Sequence, residues 1–346
     1  MEFEIKEFFP ELAEERLWEL YFNHREKIIL ESDPDTVLPS REKWKRQIIS
    51  EFKIPYFKKR IFNLFIKEIN DEIPAIAIIS AETDKSPSYE SNKHILMLTL
   101  SVLPKFRRKG IAQNLIKYLI KIIKKDFPYV SEFITNTVTE SGVKFIEKLG
   151  GKLSLETFEN RLYLKDIDWD MVKRWKEEGI RKNPDTTIKT VLEIPEEDLI
   201  EFSKIYTEIT NQTPHGEISI TQNFTPELLR SREKEYKKNK ALNITIYTKE
   251  KNNLITSVTE IVYDKDPGHM VYQMLTGVRN EFRGRGIGKW IKAEMLLHIK
   301  NNFNGIKYIS TQNATVNEPM LHINNLLGFK KHLRVKIYEI KLSNII

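Results

Sequence analysis

The chain has 346 residues, more than one hydrophobic core usually holds, so two domains are expected. Hydrophobic residues at 40% and charged residues at 30% are ordinary for a globular protein; the net charge of +7 suggests an anionic partner without choosing among nucleic acid, membrane surface and a phosphorylated ligand. The lack of cysteine excludes disulfides and thiolate metal sites, and the seven scattered histidines form no H-E-x-x-H pair, so no metal is expected.

In chain order, Met1 to Ile5 starts acidic and strand-like, unlike a signal peptide. Phe9-Pro10-Glu11 predicts a helix start with proline in the first turn. Ile61 to Glu68 and Ile73 to Ala81 read as the strands of a hairpin that turns at Asn70-Asp71. The second of these is the longest apolar stretch and is too short to cross a bilayer, so a soluble, cytoplasmic protein without a membrane partner is expected. Met97 to Val102 is a further strand, and Ile111, Leu115, Tyr118, Leu119 and Ile122 form the stripe of a helix. A strand at Glu132 to Thr137, another helix and a final apolar alternation complete the series. Asp168 to Lys182, with Trp169 and Trp175, reads as a charged linker helix that Asn183-Pro184-Asp185 breaks.

The series then begins again. Ile194-Pro195-Glu196 starts a helix, Leu242 to Lys249 and Leu254 to Val262 form a hairpin turning at Asn252-Asn253, and Met274 to Val278 is the next strand. Ile287, Ile291, Met295 and Leu297 to Ile299 mark a helix, and Lys307 to Thr311 a strand. Gly110 recurs as Gly286, 176 residues on; Met97-Leu98-Thr99 recurs as Met274-Leu275-Thr276, 177 on; Gly150 recurs as Gly328, 178 on. Offsets this constant, in a chain whose half is 173 residues, indicate a tandem repeat.

The repeated loops are Arg107-Arg108-Lys109-Gly110-Ile111-Ala112 and Arg283-Gly284-Arg285-Gly286-Ile287-Gly288. Each joins a strand to a helix, whose first amides lack partners and carry the positive end of the macrodipole. A phosphate fits there, glycine lets it approach the backbone, and arginine adds charge-assisted bonds. No Lys-Ser or Lys-Thr pair follows the glycines, so this is no P-loop, and the preceding hairpin does not suit a dinucleotide fingerprint. A plain glycine turn beside solvated arginines is the competing reading, weakened by the presence of two copies.

These loops resemble the Q/R-x-x-G-x-G/A pyrophosphate loop of the GNAT superfamily of acyl-CoA N-acyltransferases. The resemblance covers both halves and is most like the tandem members. It implies an α/β (α+β) fold of two domains, each a mixed, mostly antiparallel sheet flanked by helices. The expected boundaries are a degenerate first domain over 1–167, a linker helix over 168–184 and a catalytic second domain over 185–346. It further implies acetyl-CoA as co-substrate, with Val102, Arg107, Arg108, Lys109, Gly110 and Ala112 in the first copy, and Val278, Arg283, Gly284, Arg285, Gly286, Ile287 and Gly288 in the second, as its contacts. The run Asn313 to Asn317, followed by Leu327-Gly328-Phe329, is similar to the family's closing segment, so Asn313 and Asn317 would meet the pantetheine arm. The first copy has Ser141-Gly142-Val143 where the second has Asn317.

Transfer to a primary amine needs a base, an oxyanion donor and a leaving thiolate. A carboxylate that takes the amine proton contributes roughly 10²–10⁴-fold. Glu260, on the strand beside the expected bulge, is the candidate, with a polar residue on an exposed strand face as the competing reading. The oxyanion donor would be backbone near Gly277-Val278, or Ser101-Val102 in the first copy. Many family members carry a tyrosine as general acid where this chain has Ile146 and Asn324, which leaves the acid unassigned. Asn211 and Glu217, in a polar loop with His215, are candidate contacts for a small-molecule or peptide amine. An acyl-CoA-binding regulator, or an aminoacyl or longer acyl transferase on the same scaffold, are alternatives. A nucleic-acid partner is not expected, since no motif that reads DNA or RNA accompanies the charge.

Overall fold

The computed structural model describes residues 2–67, 69 and 71–345. The expected turn residue Asn70, the expected strand end Glu68, and Met1 lie outside the described residues. In chain order the first half runs β1 (Phe3–Phe8), α1 (Glu15–Ser32), α2 (Arg41–Phe52), β2 (Phe57–Ile66), β3 (Ala75–Glu82), α3 (Tyr89–Asn92), β4 (Ile95–Val102), α4 (Ile111–Asp126), β5 (Glu132–Thr137), α5 (Glu140–Lys148) and β6 (Lys152–Tyr163). It continues with α6 (Trp169–Lys182), β7 (Thr187–Val191), α7 (Glu196–Gln212), α8 (Pro226–Lys238), β8 (Leu242–Lys249), β9 (Ile255–Tyr263), β10 (Met270–Val278), α9 (Ile287–Asn302), β11 (Tyr308–Ala314), α10 (Glu318–Leu327) and β12 (Lys330–Lys341).

These elements make two compact units that interleave along the chain. The first holds Met1–Glu156, Gly216–Thr221 and Val335–Ile346; the second holds Thr157–His215 and Gln222–Arg334. They therefore do not follow the contiguous cuts expected at 167 and 184.

In the first unit the sheet runs β1-β2-β3-β4-β5-β12, antiparallel except for the parallel pair β4/β5. One face carries α4, whose Ile111, Leu115, Leu119 and Ile123 bury against Leu64, Ala77 and Leu98. The other carries α1 and α2, where Trp18, Tyr21, Phe22 and Ile48 pack on Ile61 and Ile76. The closing strand comes from the far end of the chain, and its Tyr338 and Ile340 belong to the α4-side core. Residues 216–221 also enter this unit, with Ile218 packed against Ile95 and Ile134.

In the second unit the order is β6-β11-β10-β9-β8-β7, with the same pattern of directions and the parallel pair at β10/β11. The closing strand here is the 157–163 part of β6, contributed by the first half. α9 covers one face through Ala293, Met295, Leu296 and Ile299, joined by Val172 and Trp175 of α6. α7 covers the other through Phe202, Ile205, Tyr206 and Ile209.

Four expectations are corrected. The helix expected at Pro10 starts at Glu15 instead, after a turn over 10–12. α2 and α8 were not foreseen, although Ser40 and Thr225 cap them through their hydroxyl groups and Pro226 opens the second, all readable signals. α6 is not a free linker: a Cβ on Gly179 would lie 2.3 Å from the Trp290 ring, so the glycine lets it press against α9. The two Met-Leu-Thr triplets are not equivalent positions. Val102 pairs with Ala75 and Val278 with Ser257, but by Met97 the partner is Ser80, whose counterpart Val262 pairs with Tyr272.

Candidate active site

The reason for that shift is a bulge. Between Gln273 and Thr276, β10 advances three residues while β9 advances two, from Ile261 to Thr259. One extra residue thus sits at Met274-Leu275, opposite Glu260, and the ladder is locally broken there. The strand β4 has no such break, and its register against β3 is continuous from Met97 to Val102. The bulge lies upstream of the expected Gly277-Val278, which pair regularly with Val258 and Ser257.

Both sheets open next to this region. β10 pairs with β11 only from Met270 to Tyr272, and β4 with β5 only from Ile95 to Met97. Beyond those residues the parallel strands no longer pair and a slot opens between them, with Thr311 Oγ1 still donating to the Gln273 carbonyl at 3.1 Å at its inner end in the second unit. α9 and α4 begin at the far end of the slot's strands. Their N-caps, Gly286 and Gly110, adopt φ of 80° and 77°, a left-handed conformation that glycine takes without a Cβ penalty. Gly284 has φ of 80° with no atom within 4 Å of an added Cβ, and Arg108 holds the equivalent left-handed position at 63°. The loops thus present helix-first-turn amides to open space, which fits a diphosphate. A Cβ on Gly288 would meet Ile323 at 3.4 Å, ordinary contact, which accounts for Ala112 serving at the same place in the first copy.

The arginines divide into two kinds. Arg107 Nε donates to the Val102 carbonyl at 3.0 Å and its two terminal nitrogens to Glu31; Arg283 Nε donates to the Val278 carbonyl at 3.3 Å and Nη2 to Gln212 at 2.7 Å. Each ties the loop to the end of its strand. Arg285, expected on the phosphate, is instead engaged within the unit: Nε donates to Asn183 at 2.8 Å, Nη2 to Thr186 at 3.2 Å, and Nη1 pairs with Glu250 at 3.4 Å. Asn183 also donates to the Arg285 carbonyl, so the residue read as a helix breaker braces the loop. Lys109 is exposed and lies over the Phe106 ring at 5.5 Å, whereas the Ile287 side chain is buried and contributes to the loop only through its backbone.

Glu260 is neither on an exposed face nor free. It is 2% exposed, accepts from Tyr206 Oη and Asn243 Nδ2 at 2.5 Å each, and lies 3.4 Å from Arg232. Burial, reinforced by the neighbouring Glu260, holds the Tyr206 phenol well above its usual range, so it stays protonated. Burial is the largest single influence on Arg232 and disfavours its charge, but Glu260, Tyr206 and Tyr236 together outweigh it and hold the guanidinium pKa above its usual range. These groups line a small pocket with Leu192 and Phe202. Tyr206, Arg232 and Asn243 escaped the sequence reading, because only the helix and strand packing brings them to Glu260. Ile78 occupies the position of Glu260 in the first copy, since both pair one residue from the Ile79 and Ile261 counterparts.

Asn313 and Asn324 are buried together. Asn313 Oδ1 accepts from Asn324 Nδ2 at 2.8 Å and from Asn160 Nδ2 at 3.3 Å, so its side chain is engaged inside the unit. Asn324 Oδ1 is buried without a protein partner. Asn317 caps α10 by position. Asn211 pins a loop by exchanging two bonds with the Gln222 backbone, and Glu217 belongs to the first unit, so these two substrate candidates fall in different units.

Residues 15–150 match the family model of the Acetyltransferase (GNAT) family. The match falls on the half whose loop is the less complete copy. Among solved structures, a tandem GNAT protein from the clavulanic acid biosynthesis pathway is 15% identical, with 98% of each chain covered and a TM-score of 0.75. A GCN5-related N-acetyltransferase from Sphaerobacter thermophilus is 13% identical over 98% of this chain and 95% of its own, with a TM-score of 0.63. Saccharomyces cerevisiae N-myristoyltransferase with bound myristoyl-CoA is 12% identical over 98% and 79%, with a TM-score of 0.56. At such identities the likeness is one of fold. No curated protein matches in sequence. The family match thus marks residues 15–150, and with the sheet, loop and helix built twice the whole chain has the fold of a tandem GNAT protein. No helix among the described residues is long and apolar enough to cross a membrane.

Proposed function

We propose that the protein transfers an acetyl group from acetyl-CoA to the primary amine of a small molecule or peptide in the cytoplasm, and that the second unit performs the transfer. The bulge at Met274-Leu275 supports this reading, because it occurs only in the second sheet and lies opposite the one carboxylate on the neighbouring strand. The diphosphate rests on the amides of residues 284–288, with Arg283 beside them. The pantetheine arm enters the slot between β10 and β11, and the unpaired backbone at the bulge polarises the thioester carbonyl. A positioned backbone donor of this kind is worth about 3–4 kcal/mol.

The acceptor arrives as an ammonium, because an alkyl amine has a pKa near ~10.4. It enters beside Arg232, whose contact with Glu260 is long and therefore the weakest of the carboxylate's three. Glu260 draws the charge and takes the proton, and the free amine attacks. The loop reads the coenzyme and not the acyl group, so a longer acyl chain suits the same site. The saturation of Glu260 favours one other reading, an acyl-CoA-binding regulator without turnover.

Calorimetry with acetyl-CoA and thiol release against an amine panel test the proposal. The double variant Arg283→Ala/Gly286→Val is expected to remove one class of acetyl-CoA sites. Glu260→Gln is expected to lower amine-dependent thiol release by roughly 10²-fold or more while binding persists. Unchanged coenzyme binding in the first variant sinks the cofactor assignment. Binding without thiol release to any amine favours the regulator.

A further inference from the structure

The first unit holds a polar pair that neither the family loop nor the second unit explains. His24 of α1 is fully buried, with Nδ1 2.7 Å from the Ile73 carbonyl and Nε2 2.7 Å from Ser101 Oγ. A carbonyl oxygen only accepts, so Nδ1 carries the proton. Burial, opposed by that carbonyl bond and helped by Arg25, lowers the imidazole pKa to about 4, so the ring is neutral at neutral pH and Nε2 is bare. The Ser101 hydroxyl must then donate to Nε2, which leaves its oxygen lone pairs facing away from the ring. Ser101 is half-buried on the part of β4 that has left β5, one residue before Val102, whose carbonyl Arg107 holds.

The second unit supplies the comparison. Val102 and Val278 are equivalent, since each accepts from the loop arginine, so Ser101 corresponds to Gly277. A Cβ on Gly277 would lie 2.2 Å from Ile209 of α7. The same contact between first helix and slot strand is therefore apolar and tight in one copy, and a histidine–serine pair in the other. An apolar contact suffices to build the fold. Burying an imidazole instead costs desolvation, and a packing role gives no reason for it.

We propose that Ser101 is a nucleophile, activated by His24 and oriented through the Ile73 carbonyl, which accepts an acyl group from a thioester in the first unit. The proposal rests on the reading that acyl-CoA enters the slots of this fold. Ser101 Oγ attacks the thioester carbon as its proton passes to His24 Nε2. The C–S bond breaks, and the departing thiolate takes that proton, leaving an ester on Ser101 and a free thiol. A primary amine then attacks the ester carbon, the C–N bond forms, the C–O bond to Ser101 breaks, and the amine proton returns through His24 to Ser101 Oγ. This route suits a β4 without a bulge, because the nucleophile comes from the protein and the acceptor need not be present when the thiol leaves.

The test uses the full chain with acetyl-CoA and no amine, quenched and read by peptide mass spectrometry, and in parallel with a fluorophosphonate, which reports an activated serine without the coenzyme. One acetyl group on the Ser101 peptide, matched by a stoichiometric burst of thiol, is the expected result. Ser101→Ala should abolish both, and His24→Gln, which keeps hydrogen bonding but cannot accept a proton, should slow acetylation at least 100-fold; circular dichroism checks that both variants fold. Fluorophosphonate labelling of Ser101 without acetylation upholds the activated serine and overturns coenzyme entry into the first unit. Neither label on a folded wild-type chain that binds two equivalents of acetyl-CoA overturns the nucleophile and leaves the proposed function standing.

Discussion

His24 also titrates against the fold. Its pKa falls from 6.5 unfolded to about 4 folded, burial being the main cause; Arg25 and Lys27 push in the same direction, and the Ile73 carbonyl and Glu72 oppose them. The unfolded chain therefore binds more protons between these values, and stability present above about pH 6.5 declines as pH falls toward 4. The loss approaches about 3 kcal/mol, taking 1.36 kcal/mol per unit. Urea unfolding at pH 7 and pH 4.5 should show this slope in the wild type and a shallower one in His24→Gln. Equal slopes would mean that the ring is not neutral and buried. Residues of this kind were the hardest to read. Glu260 was legible from its strand, but His24 and Ser101 are 77 positions apart, and nothing in the chain marks them as neighbours. Arg285 meets the same obstacle: its partners Asn183, Thr186 and Glu250 are remote in sequence, and a motif spacing cannot show that a guanidinium is already engaged.

At the scale of elements, α9 carries the conflict between pattern and environment. Lys292 is 2% exposed in the middle of this helix, and burial lowers its pKa to about 7; its ammonium lies over the Phe329 ring at 5.6 Å. The lysine loses stability wherever the unfolded side chain is charged and the folded one resists charging. The penalty is full below pH 7 and is relieved as pH rises from 7 toward 10.5, the ordinary lysine value. Lys292→Met, similar in length and apolar, should raise stability by a few kcal/mol at pH 7 and by much less at pH 10. Thermal melts at the two values check this; an equal gain at both would assign the effect to packing. The sequence showed α9 by its apolar stripe, as it did α4 and the strand Glu132–Thr137, because periodicity reports which face is buried. The matching Met-Leu-Thr letters of β4 and β10 do not mark equivalent positions. A bulge inserts a residue without changing composition, so Met97 answers Tyr272 and not Met274.

At the scale of the molecule, the repeat was legible and the exchange of its closing strands was not. A repeat states that two copies exist, and the apolar alternations at 152–163 and 330–341 fit either sheet equally well. The contiguous pieces 1–167 and 168–346 should therefore each fail to fold alone. The first lacks Val335–Ile346, whose Tyr338 and Ile340 are 1% exposed in the core beside α4, and it leaves β5 as an open edge. Burial of two such side chains contributes about 3–6 kcal/mol, a large part of the ~5–15 kcal/mol that holds a domain together. The second lacks Thr157–Tyr163, with Leu162 fully buried, and so loses the strand that pairs with β11 from Tyr308 to Ala314. Expressed together, the pieces supply each unit with its missing strand, and a soluble complex with acetyl-CoA affinity should return. Expressed apart, each should give a spectrum without dispersed methyl resonances and no cooperative melt. A cooperative melt of 1–167 by itself would show that its own β6 has folded back beside β5, the contiguous arrangement that the repeat alone suggested.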